Sequence, residues 1–254
     1  MRNYTDVPLA RDAHTIHMQQ ELSPKQQRFC SGYPYAENMG ALMYLCVLTR
    51  PDIAYAEGTL TRHMANPTYA ACKACSRVLN YLHTFPGLGI RFQAGTLQLH
   101  AYTDSDWAAC LRTRRSVSGN VVFMAGGPVT WVSKLQPIVA TSSMEAEYIS
   151  AYFVVQEVTW LRDTLHELNP LGSEPTLVFI DNTSARTLAQ NPVFHARSKH
   201  INVKFNWLRE KVCEGAIRLE YVASADQTAD IMTKLLTGEA FHRHQMVLVC
   251  DSSR

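Results

Sequence analysis

Residues Leu97–Trp107 read LQLHAYTDSDW, and the fold turns on this stretch. Leu97, Leu99 and Ala101 alternate with Gln98, His100 and Tyr102, the period of two that a half-buried strand requires. Thr103-Asp104-Ser105-Asp106 follows at once, so the pattern predicts a strand over 97–103 with an acid just past its end. Taken alone, those four residues read as a polar turn. Three more acid-bearing segments downstream, each in a suitable setting, give them another meaning.

The chain has 254 residues, 46% of them hydrophobic and 18% charged, enough to build a sizeable core. A net charge of +2 excludes a nucleic-acid signal from bulk charge, so any such signal must be local. Seven cysteines, odd in number and scattered, fit a reducing compartment better than a disulfide framework. Cys72 and Cys75 form a CxxC, but no second Cys/His pair follows at zinc spacing. No leader-like apolar segment opens the chain and no apolar run reaches 18 residues, which predicts a soluble, unsecreted protein with no membrane partner.

Outward from the central stretch, the texture differs on its two sides. Residues 1–34 are polar, with no sustained period, and read as a loosely ordered lead-in. Residues 35–86 carry three helical patterns. Met39, Leu42, Met43, Leu45 and Cys46 share one face, Pro51 opens the second helix, and Thr68 caps a third whose buried stripe includes Cys75, Val78, Leu79 and Leu82. Pro86-Gly87-Leu88-Gly89 marks the boundary. Beyond it, residues 89–248 read as strands at 89–92, 97–103, 121–124, 129–132, 176–180 and 216–222. Gly126-Gly127-Pro128 is a hairpin turn, and helices fall at 144–168, 182–189, 200–214 and 226–236. The predicted class is α/β: a mixed five-stranded sheet with helices on both faces, preceded by a small helical unit.

Asp104 and Asp181 each follow a strand, while Glu147 and Asp230 lie near the start of helices. In open α/β sheets such positions meet at one edge. Four converging carboxylates repel one another unless cations lie between them, and all-oxygen ligands point to Mg²⁺ or Mn²⁺. Two such ions suit phosphodiester hydrolysis.

TDSDWAA, RRSVSGN, VTWVSKLQ, TSSMEAEYISA, FIDNTSA, NPVFHARSKHI and YVASADQTADIMTK, in that order, resemble the ribonuclease H domain of copia-type retrotransposon Pol polyproteins. MGALMYLCVLTRPDIAYAEGTLTRHMANP resembles the segment that links the reverse transcriptase to that domain. The resemblance covers roughly residues 35–248 and reads the chain as a C-terminal fragment of such a polyprotein. It implies a ribonuclease H-like fold, an RNA–DNA hybrid as substrate and two Mg²⁺ ions, with Mn²⁺ as an alternative. It places the catalytic, metal-binding acids at Asp104, Glu147, Asp181 and Asp230, with Glu145 as the competitor to Glu147. It also implies the missing reverse transcriptase domains as partners, and a cytoplasmic location in the element's virus-like particle or a nuclear one. Arg112, Asn120 and Leu235 depart from the family pattern, and no Tyr-x-Asp-Asp polymerase motif is present.

Candidate nucleic-acid contacts fall in two clusters. Arg112, Arg114 and Arg115 sit in the loop after the first acid and Lys134 follows the hairpin; Asn182, His195, Arg197, Lys199 and His200 follow Asp181. Trp107, Trp131, Trp160 and Trp207 are spaced like core anchors. Three function classes are open. A metal-dependent ribonuclease H leads, a non-catalytic nucleic-acid-binding remnant is the alternative, and an integrase-like transferase fits the four-acid order less well. The helical unit is expected to leave an apolar face exposed.

Overall fold

The computed structural model describes residues 5–17, 21–95, 97–168, 174–190 and 199–251. Among the described residues the chain forms two compact units, 1–91 with 234–254, and 92–233.

The first unit contains helices α1 (Pro24–Gly32), α2 (Tyr35–Leu48), α3 (Ala54–Thr61), α4 (Tyr69–Thr84) and α8 (Gly238–Leu248). It also holds a short antiparallel pair, β1 (Leu88–Gly89) with β7 (Cys250–Asp251). Helix α1 falls in the stretch read as a loose lead-in. Ser23 and Gln26 close a capping box around it and Pro24 occupies its first turn, a local signal too short to show as periodicity. Thr68 caps α4 by accepting from the Ala71 N–H at 3.0 Å, as its sequence predicts. The Cys72 thiol is buried, and burial pushes its pKa up to about 12, so it packs as a small apolar group.

A buried ion pair organises this unit. Arg50 donates to both Asp52 oxygens at 2.9 and 2.8 Å and to the Phe85 carbonyl at 3.1 Å, and its guanidinium lies 5.4 Å from the centroid of the Tyr81 ring. The Tyr81 hydroxyl donates to Asp52 at 2.5 Å and accepts from the Gln245 amide on α8. Burial, with Asp52 alongside, raises the Tyr81 phenol far above its usual range. Phe241 of α8 meets the Tyr81 ring edge-on. Residues 234–254, of which 234–248 were read from sequence with the strand-rich region, therefore belong with the helices.

The second unit is built on a five-stranded mixed sheet, order β4-β3-β2-β5-β6. Its strands are β2 (His100–Asp106), β3 (Val117–Met124), β4 (Gly127–Leu135), β5 (Thr176–Ile180) and β6 (Ile217–Tyr221). β3 runs antiparallel to β2 and β4; β2, β5 and β6 are mutually parallel. This is the mixed five-stranded α/β sheet expected from the sequence. Ala125 and Gly126, both at positive φ, make the two-residue hairpin turn, so Gly127 and Pro128 begin edge strand β4 instead of forming the turn.

Helices α5 (Ser143–Leu168), α6 (Thr183–Gln190) and α7 (Lys199–Cys213) cover one face. There Leu99, Ala101, Val122, Val178, Ile180 and Leu219 pack against Tyr148, Val154, Val155 and Val158 of α5. Over β2 and β3 on the other face lies a 3₁₀ turn, Thr228–Met232, preceded by a second at Ser224–Asp226, where a helix over 226–236 was expected. Gln227 between them is extended, and its side chain caps the second turn instead of continuing a helix. No described helix is long and apolar enough to cross a membrane.

Two outcomes test this packing. Asp52→Ala strands a buried guanidinium and should cost about 3–5 kcal/mol of stability by denaturant unfolding. On α2, Met43, Tyr44, Val47 and Leu48 are exposed. An exposed apolar face was expected, but Met43 and Leu45, read with the buried stripe, lie outside that stripe, and Met39, Leu42 and Cys46 alone are buried there with Tyr35. Tyr44→Lys with Val47→Lys should raise the solubility limit while changing stability by no more than about 0.5 kcal/mol.

Candidate active site

Parallel pairing of β2 with β5 runs His100↔Leu177 to Tyr102↔Phe179, so both strands point their carboxyl ends the same way. Asp104 lies within β2, not beyond it, because pairing with β3 continues to Asp106↔Val117. Its side chain is almost fully buried, at 1% exposure. Asp181 follows β5 directly, and Glu147 sits one turn into α5. One oxygen from each of Asp104, Glu147 and Asp181 lies within 4.8 Å of the others. Mg²⁺–oxygen bonds of about 2.0–2.1 Å put opposite ligands of one ion about 4.2 Å apart, so a small side-chain adjustment closes the group on a cation.

Each carboxylate is aimed by a donor. The Ser105 N–H donates to Glu147 Oε1 at 3.2 Å, the Ser224 hydroxyl to Asp181 at 2.9 Å, and the Thr233 hydroxyl to Asp104. Glu145 points elsewhere: its Oε2 accepts from the N–H and hydroxyl of Thr141 at 2.7 and 2.6 Å, closing the start of α5. Helical geometry separates the two glutamates by about 200°, so only one can face β2.

Asp230 lies in the Thr228–Met232 turn, largely buried, and is outside the three-carboxylate group. The turn is nonetheless tied to it. Thr233 follows the turn and holds Asp104, and the Gln227 amide donates to the Thr103 carbonyl at 3.0 Å. Beneath the site, the Thr103 hydroxyl donates to Asn120 Oδ1 at 2.6 Å and the Ser150 hydroxyl to the Asp104 carbonyl at 2.8 Å, fastening β2, β3 and α5 together.

Gly119 is the residue sequence reasoning missed. It is the register partner of Asp104, and a Cβ there would stand 2.5 Å from Thr233 Cγ2, 2.7 Å from Met232 Cβ and 2.9 Å from the Ala229 carbonyl. The turn reaches Asp104 only because this position has no side chain. Gly119 precedes the strand read over 121–124 but lies inside β3, which starts at Val117, and a glycine within a strand marks such a close approach.

Of the basic residues, Arg112, Arg114 and Lys134 are exposed and Arg115 is half-buried. Asn182 caps α6 by accepting from the Ala185 N–H at 3.0 Å, which leaves its NH₂ as the donor it can offer. His195 and Arg197 lie outside the described residues, as do the side chains of Lys199 and His200. The tryptophans are not uniformly core: Trp107 and Trp160 are exposed, and Trp131 and Trp207 half-buried.

Over 208 residues, 82% of its length, the chain is 41% identical to the retrovirus-related Pol polyprotein from transposon RE1 of Arabidopsis thaliana. It is 38% identical over the same span to that from transposon TNT 1-94 of Nicotiana tabacum. These matches cover 14% and 16% of the two relatives, so the chain spans a small part of their length. Secreted RxLR effector protein 161 of Plasmopara viticola is 44% identical over 129 residues, 50% of this chain and 91% of that protein. Among solved structures, LC11-RNase H1 from compost is 17% identical, with a TM-score of 0.40 over 58% of this chain and 97% of that one. No protein-family model matches the chain.

Gly119→Ala should push the 228–233 turn away from Asp104. The expected outcome is a loss of about 1–3 kcal/mol in stability, measured by thermal unfolding, as overpacked sites show.

Proposed function

Because the chain belongs to the retrovirus-related Pol polyproteins of copia-type transposons, we propose that it is a metal-dependent endonuclease acting on the RNA strand of RNA–DNA hybrids. The observation that supports this most is the triad Asp104, Glu147 and Asp181, three carboxylates gathered from β2, α5 and the end of β5. An all-oxygen, strongly anionic donor set of this kind fits Mg²⁺, with Mn²⁺ as substitute, and these three residues would hold it with Asp230 alongside. Two bound ions would supply Lewis-acid stabilisation of the phosphate and lower the pKa of the attacking water.

The chain's own residues do the rest. Ser105, Ser224 and Thr233 fix the carboxylates by hydrogen bonds, so their geometry exists before substrate arrives. Arg112, Arg114, Arg115 and Lys134, with His195, Arg197, Lys199 and His200 on the far side in sequence, contact phosphates. Asn182, the residue after Asp181, would offer its NH₂ to a 2′-hydroxyl or a phosphate. The remaining reverse transcriptase domains of a parent polyprotein are the expected protein partners.

Purified protein should cut the RNA of a labelled hybrid in Mg²⁺, leaving 5′-phosphate and 3′-hydroxyl ends, and should stop in EDTA. Glu147→Gln should reduce cleavage by about 100-fold or more, with the metal-free melting temperature unchanged or raised. Glu145→Gln should keep most activity, because that carboxylate is occupied at Thr141. Hybrid binding without cleavage would replace this reading with that of a non-catalytic binding remnant.

A further inference from the structure

We propose that the Trp107 indole is a substrate-contacting platform, packing on the sugar–base surface of a nucleic-acid strand that enters the carboxylate site. This rests on the hybrid-nuclease reading and adds to it a contact that neither the acids nor the basic clusters provide.

Trp107 is 50% exposed, yet its ring is not loose. Its Nε1–H donates to the Ala140 carbonyl at 3.0 Å, joining the end of β2 to the segment that leads into α5. A tryptophan that served only the core would bury its ring, and one that served only solubility would not be fixed. An aromatic ring held in one orientation with half its surface in water is preorganised for a flat partner. Position selects that partner. Trp107 is three residues beyond Asp104, within about 10 Å along extended chain.

The loop it opens is built with equal rigidity. Ala108 N–H donates to Ser116 Oγ at 3.1 Å, Cys110 N–H to the Arg115 carbonyl at 3.1 Å, and Arg114 N–H to the Cys110 carbonyl at 2.7 Å. Ala108 and Arg114 are held at φ of 54° and 55°, a left-handed conformation that is uncommon outside glycine. Ala108 and Cys110 are buried, while Leu111, Arg112 and Arg114 of the same loop are exposed. An exposed ring at the start of a loop that carries exposed guanidiniums matches a nucleic-acid strand, whose bases and sugars stack while its phosphates pair with arginine. Trp160 provides the internal contrast. It is similarly exposed, but lies thirteen residues along α5 from Glu147, about 20 Å away along the helix.

The experiment compares wild type, Trp107→Ala, Trp107→Phe and Trp160→Phe on a labelled RNA–DNA hybrid. Trp107→Ala should raise KM about tenfold and leave kcat within about threefold, while Trp107→Phe, which keeps a ring, should stay within about threefold on both. Intrinsic fluorescence supplies a readout that a structural role would not move. Hybrid added in Ca²⁺ should quench wild type and Trp160→Phe, and should quench Trp107→Phe much less. That arm also decides the matter if Trp107→Ala fails to fold. An unchanged KM in folded Trp107→Ala, or full quenching in Trp107→Phe, overturns the proposal while leaving the nuclease reading intact. Should wild type bind hybrid without cutting it, the nuclease reading fails and the quenching comparison still judges Trp107. Should it bind no hybrid at all, both fall.

Discussion

Three carboxylates within 4.8 Å of one another, two of them buried, set the terms for the second unit. Left to themselves they would repel, and burial would sharpen the repulsion. The fold answers with a fixed donor for each: a backbone N–H from β2, a hydroxyl from the turn after β6, and a hydroxyl from Thr233. Those donors come from three places far apart in sequence, so the sheet, α5 and the two 3₁₀ turns must all be in place before the cluster is tolerable. The site is thus a product of the whole unit and not of any one motif.

The same requirement explains the polar residues beneath the acids. Thr103, Asn120 and Ser150 are buried where an apolar core would be simpler, but each polar side chain has a partner. A satisfied network of this kind fixes the register of β2 against β3 and the height of α5 above both. Asn120 departs from the pattern of the resembling family, and its amide oxygen is absorbed by the Thr103 hydroxyl, so the departure leaves no unmatched group there.

Much of this was legible in the sequence, for physical reasons that differ from place to place. The alternation in β2 and the continuous apolar run of β5 are direct records of burial, and their parallel pairing brings Asp104 towards Asp181. The split between Glu145 and Glu147 was not fixed by spacing: both are acids in the first turns of one helix, and the bonds from Thr141 to Glu145 and from Ser105 to Glu147 separate them. The 3₁₀ turns were read as a helix because TADIMTK has helical composition, whereas Gln227 is held extended by contacts remote in sequence. Helix α1 escaped because its signal is a cap and not a period. The division at Thr233 escaped because the attachment of α8 is made through Tyr81, more than 150 residues earlier.

That attachment has a consequence for how the chain is made. The first unit is discontinuous: it opens at the beginning of the chain, is interrupted after Arg91, and resumes only at Lys234. Its strand pair, Leu88↔Asp251 and Gly89↔Cys250, joins residues more than 160 positions apart in sequence. The sheet unit between them can close on contacts within its own span while the helices still wait for α8. During that interval Tyr81 and its buried ion pair lack Gln245 and Phe241, so the helical unit, begun before the sheet unit, is completed after it.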